Sequence, residues 1–390
     1  MGLIWGHWKT RWESLNNSNY ISVNDIKLTE KEIDYAIDAI KSGFISGTTG
    51  KYIEKFEKEF AKFCGTDFAV ACSSGTTALQ LAVRAAGVKE GDEVLVNTFT
   101  NIASILAIIY NGAKPVLVDS RKDTWSMDES QLESRITKRT KAIIPVHIFG
   151  HPVKMDTVMD IADKYNLIII EDAAEAHGAE FLGKKVGSIG HLGCFSFLAG
   201  KIITSGEGGM VVTNDEFLAG KMRQLRSLSF GNGVNRYMHE DLGFNFRMTN
   251  IQAAIGYGQT QRAKELIDKR RRIASWYKDK LKNINGITLP SEAEWAKNVY
   301  WMYGILINDE FGMSRNDVIR GLKECGIDSR PFFVPMHKQK VFLEKKMFLN
   351  DYLPVSEYLG SHGLYLPTGA TLTIDNAEVI ASVIKDIKTK

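Results

Sequence analysis

Phe195-Ser196-Phe197-Leu198-Ala199-Gly200-Lys201-Ile202-Ile203-Thr204-Ser205-Gly206-Glu207-Gly208-Gly209-Met210 decides how the rest of this 390-residue chain is read. An apolar strand signal ends within it, a single lysine follows with no other cation in the run, and a glycine-dense turn leads into the apolar Met210-Val211-Val212. That pattern puts Lys201 at a strand edge, in a loop whose backbone can approach a bound group closely. Beyond an ordinary surface charge, a lysine there has two chemical uses. It serves a phosphate as a point charge, or burial lowers its pKa until it becomes an amine that forms a Schiff base with a carbonyl partner.

Upstream of this stretch, short apolar runs at 68–72, 93–96, 115–118, 142–146 and 167–170 read as strands, and amphipathic segments such as 156–164 fill the gaps as helices. Strict alternation implies parallel pairing, crossover helices on both faces, and ligands at the carboxyl ends of the strands. Before the first strand, Glu30 to Ile40 has a helical pattern ending at Ser42-Gly43, and the turn-rich Ser46-Gly47-Thr48-Thr49-Gly50 leads into a second helix through Phe56 and Phe60. Downstream, a long helical pattern spans 249–281, followed by a strand at 302–307 and helices at 315–325 and 376–388. The expected organisation is an extension over 1–20, a large domain over 21–260, and a smaller α+β domain over 261–390 that includes the connecting helix. No internal repeat or low-complexity segment interrupts it.

The loops after strands carry the chemistry. After the first strand, Ser73-Ser74-Gly75-Thr76-Thr77-Ala78-Leu79 opens directly into a helix, and N–H groups at a helix N-terminus with hydroxyls beside them suit a phosphate. The same residues also suit an ordinary N-cap. After the fifth strand comes Glu171-Asp172-Ala173-Ala174-Glu175-Ala176-His177-Gly178. A carboxylate at the end of a buried strand is costly without a cationic partner, and a pyridinium N–H is one such partner. Asp172 fits that role, with the small Ala174 leaving room for a flat ring; magnesium or a sugar hydroxyl is the alternative partner.

Composition narrows the class. A formal charge of +3 is near neutral for this length, and the basic run Lys269-Arg270-Arg271-Arg272 lies in the long helical pattern, where it reads as a solvated face rather than a nucleic-acid surface. Cys64, Cys72, Cys194 and Cys325 show no metal or redox spacing, so no metal site is expected and the thiols read as reduced. The start Met1-Gly2-Leu3-Ile4-Trp5-Gly6 lacks the apolar core of a secretory signal. The longest apolar run, 103–110, is far too short for a bilayer. A cytoplasmic protein is expected, without nucleic-acid or membrane partners. Trp5, Trp8 and Trp12 have no readable function.

A phosphate cradle, a carboxylate for a ring nitrogen and a Schiff-base lysine, in that chain order, suit pyridoxal 5′-phosphate (PLP). Over roughly 21–388 the chain resembles the DegT/DnrJ/EryC1/StrS family of fold type I PLP aminotransferases, which act on nucleotide-linked keto sugars. The segments that carry the resemblance are Ser73-Ser74-Gly75-Thr76, Val146-His147-Ile148-Phe149-Gly150, Glu171-Asp172-Ala173-Ala174-Glu175, Lys201 with Thr204-Ser205-Gly206-Glu207-Gly208-Gly209, and Gly243-Phe244-Asn245-Phe246-Arg247-Met248-Thr249-Asn250. The resemblance implies an α/β fold: a large domain with a mixed, mostly parallel seven-stranded sheet flanked by helices, and a smaller α+β domain. By the same resemblance Lys201 holds PLP and moves the proton, Asp172 faces the ring nitrogen, and Glu175 lies near the ring hydroxyl. Gly75, Thr76 and Ser196 bind the phosphate, and Asn245 reaches it from the neighbouring subunit of a homodimer.

Ser329-Arg330-Pro331-Phe332-Phe333-Val334-Pro335-Met336-His337, together with 243–250, resembles the branch of the family that aminates C4 of GDP-linked 4-keto-6-deoxy sugars for a surface glycan such as the O-antigen of lipopolysaccharide. There L-glutamate is the amino donor and His337 faces the sugar. The chain departs from the family pattern at Asn101, which stands on the substrate side where an aromatic residue usually stacks on the cofactor ring, and in a 46–50 loop one residue longer. UDP- or dTDP-linked sugars are the alternative substrates. A sugar dehydratase of the same family would carry histidine in place of Lys201, and a non-enzymatic PLP-binding scaffold would have lost one of the three stations.

Overall fold

The computed structural model describes residues 20–231 and 233–389. Apart from Tyr20, the expected extension over 1–20 lies outside the described residues. The strands run β1 (Phe68–Cys72), β2 (Glu93–Asn97), β3 (Lys114–Val118), β4 (Thr140–Ile144), β5 (Ile168–Asp172), the two-residue β6 (Glu180–Phe181) and β7 (Lys184–Lys185), β8 (Leu192–Ser196) and β9 (Gly209–Thr213). Seven of them form one sheet in the order β1-β9-β8-β5-β4-β2-β3. Only β9 runs against its neighbours, and the other pairings are parallel. This is the mixed, mostly parallel sheet expected from the sequence. Every residue of β2, β8 and β9 is buried, as strands covered by helices on both faces require. The carboxyl ends of β1, β2, β4, β5 and β8 therefore open on one edge, where Ser73, Thr98, Val146, Asp172 and Ser196 come together.

The second sheet is antiparallel, built from β10 (Ile287–Thr288), β12 (Tyr303–Ile307), β13 (Arg330–Pro331) and β14 (Gly363–Leu366) in the order β10-β12-β14-β13. Between β10 and β12 in the chain, β11 (Ala296–Lys297) pairs instead with β6. The core of the second sheet takes Ile273, Tyr277 and Leu281 from the helix Ala263–Leu281, together with Tyr303, Ile305, Val318, Leu364, Ile380 and Ile384. Phe332, Met336, Phe342, Leu353 and Leu359 follow later in the chain but pack into the core of the first sheet. Among the described residues, no helix is long and apolar enough to cross a membrane.

Two local readings change in three dimensions. The pattern at 249–281 is two helices, Asn250–Gln261 and Ala263–Leu281, broken at Arg262, whose backbone leaves the helical region (φ −112°, ψ 19°). Arg262 instead holds Glu32 at 3.2 Å and Glu265 at 2.7 Å. The basic run is also not a solvated face. Arg270 is buried and donates to the Thr368 carbonyl and to Asn24, Arg271 pairs with Glu292 at 2.6 Å, and Lys269 donates to the Leu372 carbonyl at 2.7 Å. Of the four, Arg272 alone is exposed. Buried guanidinium groups survive because carbonyls and carboxylates replace the lost water.

Candidate active site

The helix Gly75–Ala85 starts at the end of β1, with Ser74 as its N-cap accepting from Thr77 N at 3.1 Å. Gly75 is required by crowding, since a Cβ there would stand 2.6 Å from Ser196 Cβ. Gly209 is required for the same reason, with the Ser74 carbonyl oxygen 2.1 Å from where its Cβ would be. These two glycines bring the first turn of the helix against the end of β8, so that N–H groups and the Ser196 hydroxyl face one space. The arrangement is a satisfied cap, and the partial positive charge at the helix N-terminus suits an anion in that space.

Strand β5 ends in two buried carboxylates with opposite duties. Glu171 accepts from Gly187 N (2.7 Å), Ile189 N (2.8 Å), Gly190 N (2.7 Å) and His147 Nε2 (3.0 Å). Because Val153 N donates to His147 Nδ1 at 3.0 Å, the imidazole carries its proton on Nε2. Asp172 faces the cleft, held by the Ser104 hydroxyl at 2.7 Å and by Ala174 N at 3.1 Å. Burial raises its pKa, opposed by those two hydrogen bonds and by the charge of Lys201. Its carboxylate is thus oriented and short of positive charge, which suits a ring N–H.

The turn after β8 is tied by its own backbone. Phe197 N donates to the Gly208 carbonyl and Ala199 N to the Gly206 carbonyl, both at 2.8 Å, and Lys201 N donates to the Leu198 carbonyl at 2.8 Å. Lys201 Nζ lies 3.7 Å from Glu175 Oε1, while Phe149 N donates to the other Glu175 oxygen at 2.9 Å. Burial lowers the pKa of the lysine while Glu175 and Asp172 pull it back up. Glu175 moves up to about 7, chiefly through burial, which the Lys201 charge opposes.

A cavity of about 150 Å³ is lined by Gly75, Thr76, Asn101, Asp172, Glu175, Ser196 and Lys201, with Ala174 and Val146 among the remaining walls. Seven of the nine residues singled out in the sequence thus share one cleft. Asn101 presents no ring there; its side chain accepts from Ala103 N at 3.0 Å as the cap of the helix Ile102–Tyr110. Asn245 is exposed and does not line the cleft. Neither does His337, which is buried with Nδ1 at 2.9 Å from the Thr98 hydroxyl and Nε2 at 3.0 Å from Glu357. It ties the 329–337 segment to the loop that carries Asn101.

Ser104 and Trp301 went unread in the sequence. Ser104 sits in a helix with no motif around it. Trp301 arrives from a segment 101 residues from Gly200, whose carbonyl accepts from its indole N–H at 2.7 Å. No local pattern announces either contact.

A model of the DegT/DnrJ/EryC1/StrS aminotransferase family matches residues 26–385. The GDP-perosamine synthase of Caulobacter vibrioides is 45% identical over 368 residues, covering 93% of this chain and 97% of that one. The GDP-perosamine synthase of Escherichia coli O157:H7 is 41% identical over 369 residues, covering 94% and 98%. Among solved structures, S. venezuelae DesV superposes with a TM-score of 0.89 at 33% identity, covering 96% of this chain and all of that one.

Proposed function

The chain belongs to the DegT/DnrJ/EryC1/StrS aminotransferase family and is a PLP-dependent sugar aminotransferase; on that premise we propose that it moves an amino group from L-glutamate to C4 of GDP-4-keto-6-deoxymannose, giving GDP-perosamine. The near-full-length likeness to two GDP-perosamine synthases carries the substrate assignment. The same reading makes the product a precursor of a surface glycan such as O-antigen, formed in the cytoplasm by a soluble enzyme.

The cleft has the features that PLP needs: a glycine that a Cβ would turn into a clash, a helix N-terminus for a phosphate, and an oriented buried carboxylate. Gly75, Thr76 and Ser196 would hold the phosphate, Asp172 would accept from the ring nitrogen, Glu175 would lie near the ring hydroxyl, and Lys201 would attach the cofactor. When bound, PLP supplies an electron sink that stabilises negative charge on the carbon bearing the amino group. Ser104 and Ala174 N keep the Asp172 carboxylate aimed, so that it would pair with a ring N–H without reorganising. Lys201 Nζ, as the amine in the cleft, would move the proton that ends on C4 of the sugar, and the face it serves would set the configuration there. Its lowered pKa suits an amine that must give up a proton as well as take one. Asn101 borders the substrate side of the cleft. His337 acts on the sugar indirectly, by fixing the Thr98 loop against the 329–337 segment.

The functional unit is a homodimer with shared sites. Ile33, Ile37 and Ile40 expose apolar side chains along the helix Glu30–Lys41, and Phe44 and Ile45 extend the strip. A second copy covers it, with Asn245 of each subunit contributing to the other's phosphate site. The substrate assignment is tested by comparing kcat/KM for GDP-, UDP- and dTDP-linked 4-keto-6-deoxy sugars with glutamate as donor. A preference of tenfold or more for GDP is expected, about 1.4 kcal/mol of differential transition-state binding. The same preference for UDP or dTDP overturns the nucleotide while leaving the aminotransferase in place.

A further inference from the structure

Lys201 Nζ lies 3.6 Å from the centroid of the Trp301 indole ring, as close as its distance to Glu175. Trp301 is only 7% exposed and reaches the lysine from the segment preceding β12. Two hydrogen bonds of its own fix its place. Its indole N–H donates to the Gly200 carbonyl at 2.7 Å, and Asn24 Nδ2 donates to that same oxygen. The Thr368 hydroxyl donates to the Trp301 carbonyl at 3.2 Å. The residue before it, Tyr300, has φ +49°, in a region that bulky side chains rarely occupy; strain of this kind persists where the surroundings over-determine a position. The chain thus bends sharply to lay one indole over one amine while clamping the turn that carries it.

An indole face attracts an ammonium through its quadrupole, more strongly when both are out of water. The other groups that act on Nζ are Glu175, Asp172 and His177. Burial holds His177 neutral by moving its pKa down to about 3, so it opposes little charge at neutral pH. We propose that Trp301 is the positioning residue for Lys201: its indole face holds the free ammonium in place between the proton transfers, and its N–H fixes the Gly200 carbonyl and with it the lysine turn. This rests on the reading of Lys201 as the proton-moving group. It gives the segment before β12 a part in placing the reacting amine.

The test titrates Lys201 in the cofactor-free protein. The pH dependence of its modification by an amine-directed reagent is followed by peptide mass spectrometry, in the parent, Trp301→Leu and Trp301→Phe. Without the indole, the half-modification point of Lys201 should fall by roughly 0.4 to 1.5 pH units, a two- to thirtyfold rise in free amine at a given pH. Trp301→Phe, which keeps a face but loses the N–H, should recover part of that shift. In the holoenzyme both variants should lower kcat more than they raise KM. Should Trp301→Leu fail to fold, stepwise fluorination of the Trp301 ring keeps the shape and weakens the face, and the titration should move down with each fluorine. An unchanged midpoint in Trp301→Leu, or in the fluorinated series, overturns the proposal. An active Lys201→Ala enzyme would instead remove the reading beneath it.

Discussion

Replacing Glu171 with glutamine probes the end of β5 at the point where fold and chemistry share a strand. Both carboxylate oxygens accept twice: Oε1 from Ile189 N and Gly190 N, and Oε2 from Gly187 N and His147 Nε2. An amide offers only one accepting oxygen. Whichever way it is turned, two N–H donors face its NH₂ group inside a site with no solvent exposure. Hydrogen bonds to a charged group contribute about 1.5–3 kcal/mol each, so the substitution should cost roughly 3–6 kcal/mol by losing two of them. That is a large part of the ~5–15 kcal/mol that separates folded from unfolded proteins. No slack exists nearby, because a Cβ on Gly193 would stand 2.0 Å from the Gly187 carbonyl oxygen. The assay is urea unfolding of the cofactor-free protein, with Glu54→Gln as the control; Glu54 is an exposed partner of Lys58, and no measurable shift is expected there. A Glu171→Gln midpoint within about 1 kcal/mol of the parent, at unchanged m-value, would refute the four-donor argument.

Lys201→Ala should abolish turnover and leave no borohydride-trapped adduct on any other lysine, read by peptide mass spectrometry. Asp172→Asn should retain the cofactor but reduce kcat by about a hundredfold or more, since a neutral amide does not hold the ring proton; near-normal turnover would remove that role. Glu175, moved up to about 7 by burial, is protonated in the fold where the unfolded chain is not. Its contribution is therefore fully present below pH 4.5 and lost as the pH climbs through about 7, on the order of 3 kcal/mol. Glu175→Gln should flatten the stability of the cofactor-free protein across that window, measured by urea midpoints at several pH values. Mixing Asn245→Ala subunits with Lys201→Ala subunits should restore activity through dimers with one intact site, and mixtures no better than the parents count against sharing.

What could be read along the chain was what neighbours in sequence decide together. Buried parallel strands appear as short apolar runs, so β1 to β5 were legible, and a strand end followed by small residues marked Ser74-Gly75-Thr76, Asp172 and Lys201. Their convergence followed from topology, because strands that share a direction must open on one edge. The departures arose where distant residues compete for the same group. The long helical pattern is interrupted at Arg262, where the guanidinium reaches Glu32, on a helix 230 residues earlier in the chain. Arg270 leaves solvent because the Thr368 carbonyl and Asn24 replace its water. His337 sits in a recognisable segment, yet its direction is set by Thr98 and Glu357. Trp301 over Lys201 and Ser104 on Asp172 join residues 100 and 68 positions apart in the chain. Such contacts leave no local period or spacing, since only the packing of the two cores decides which side chains meet.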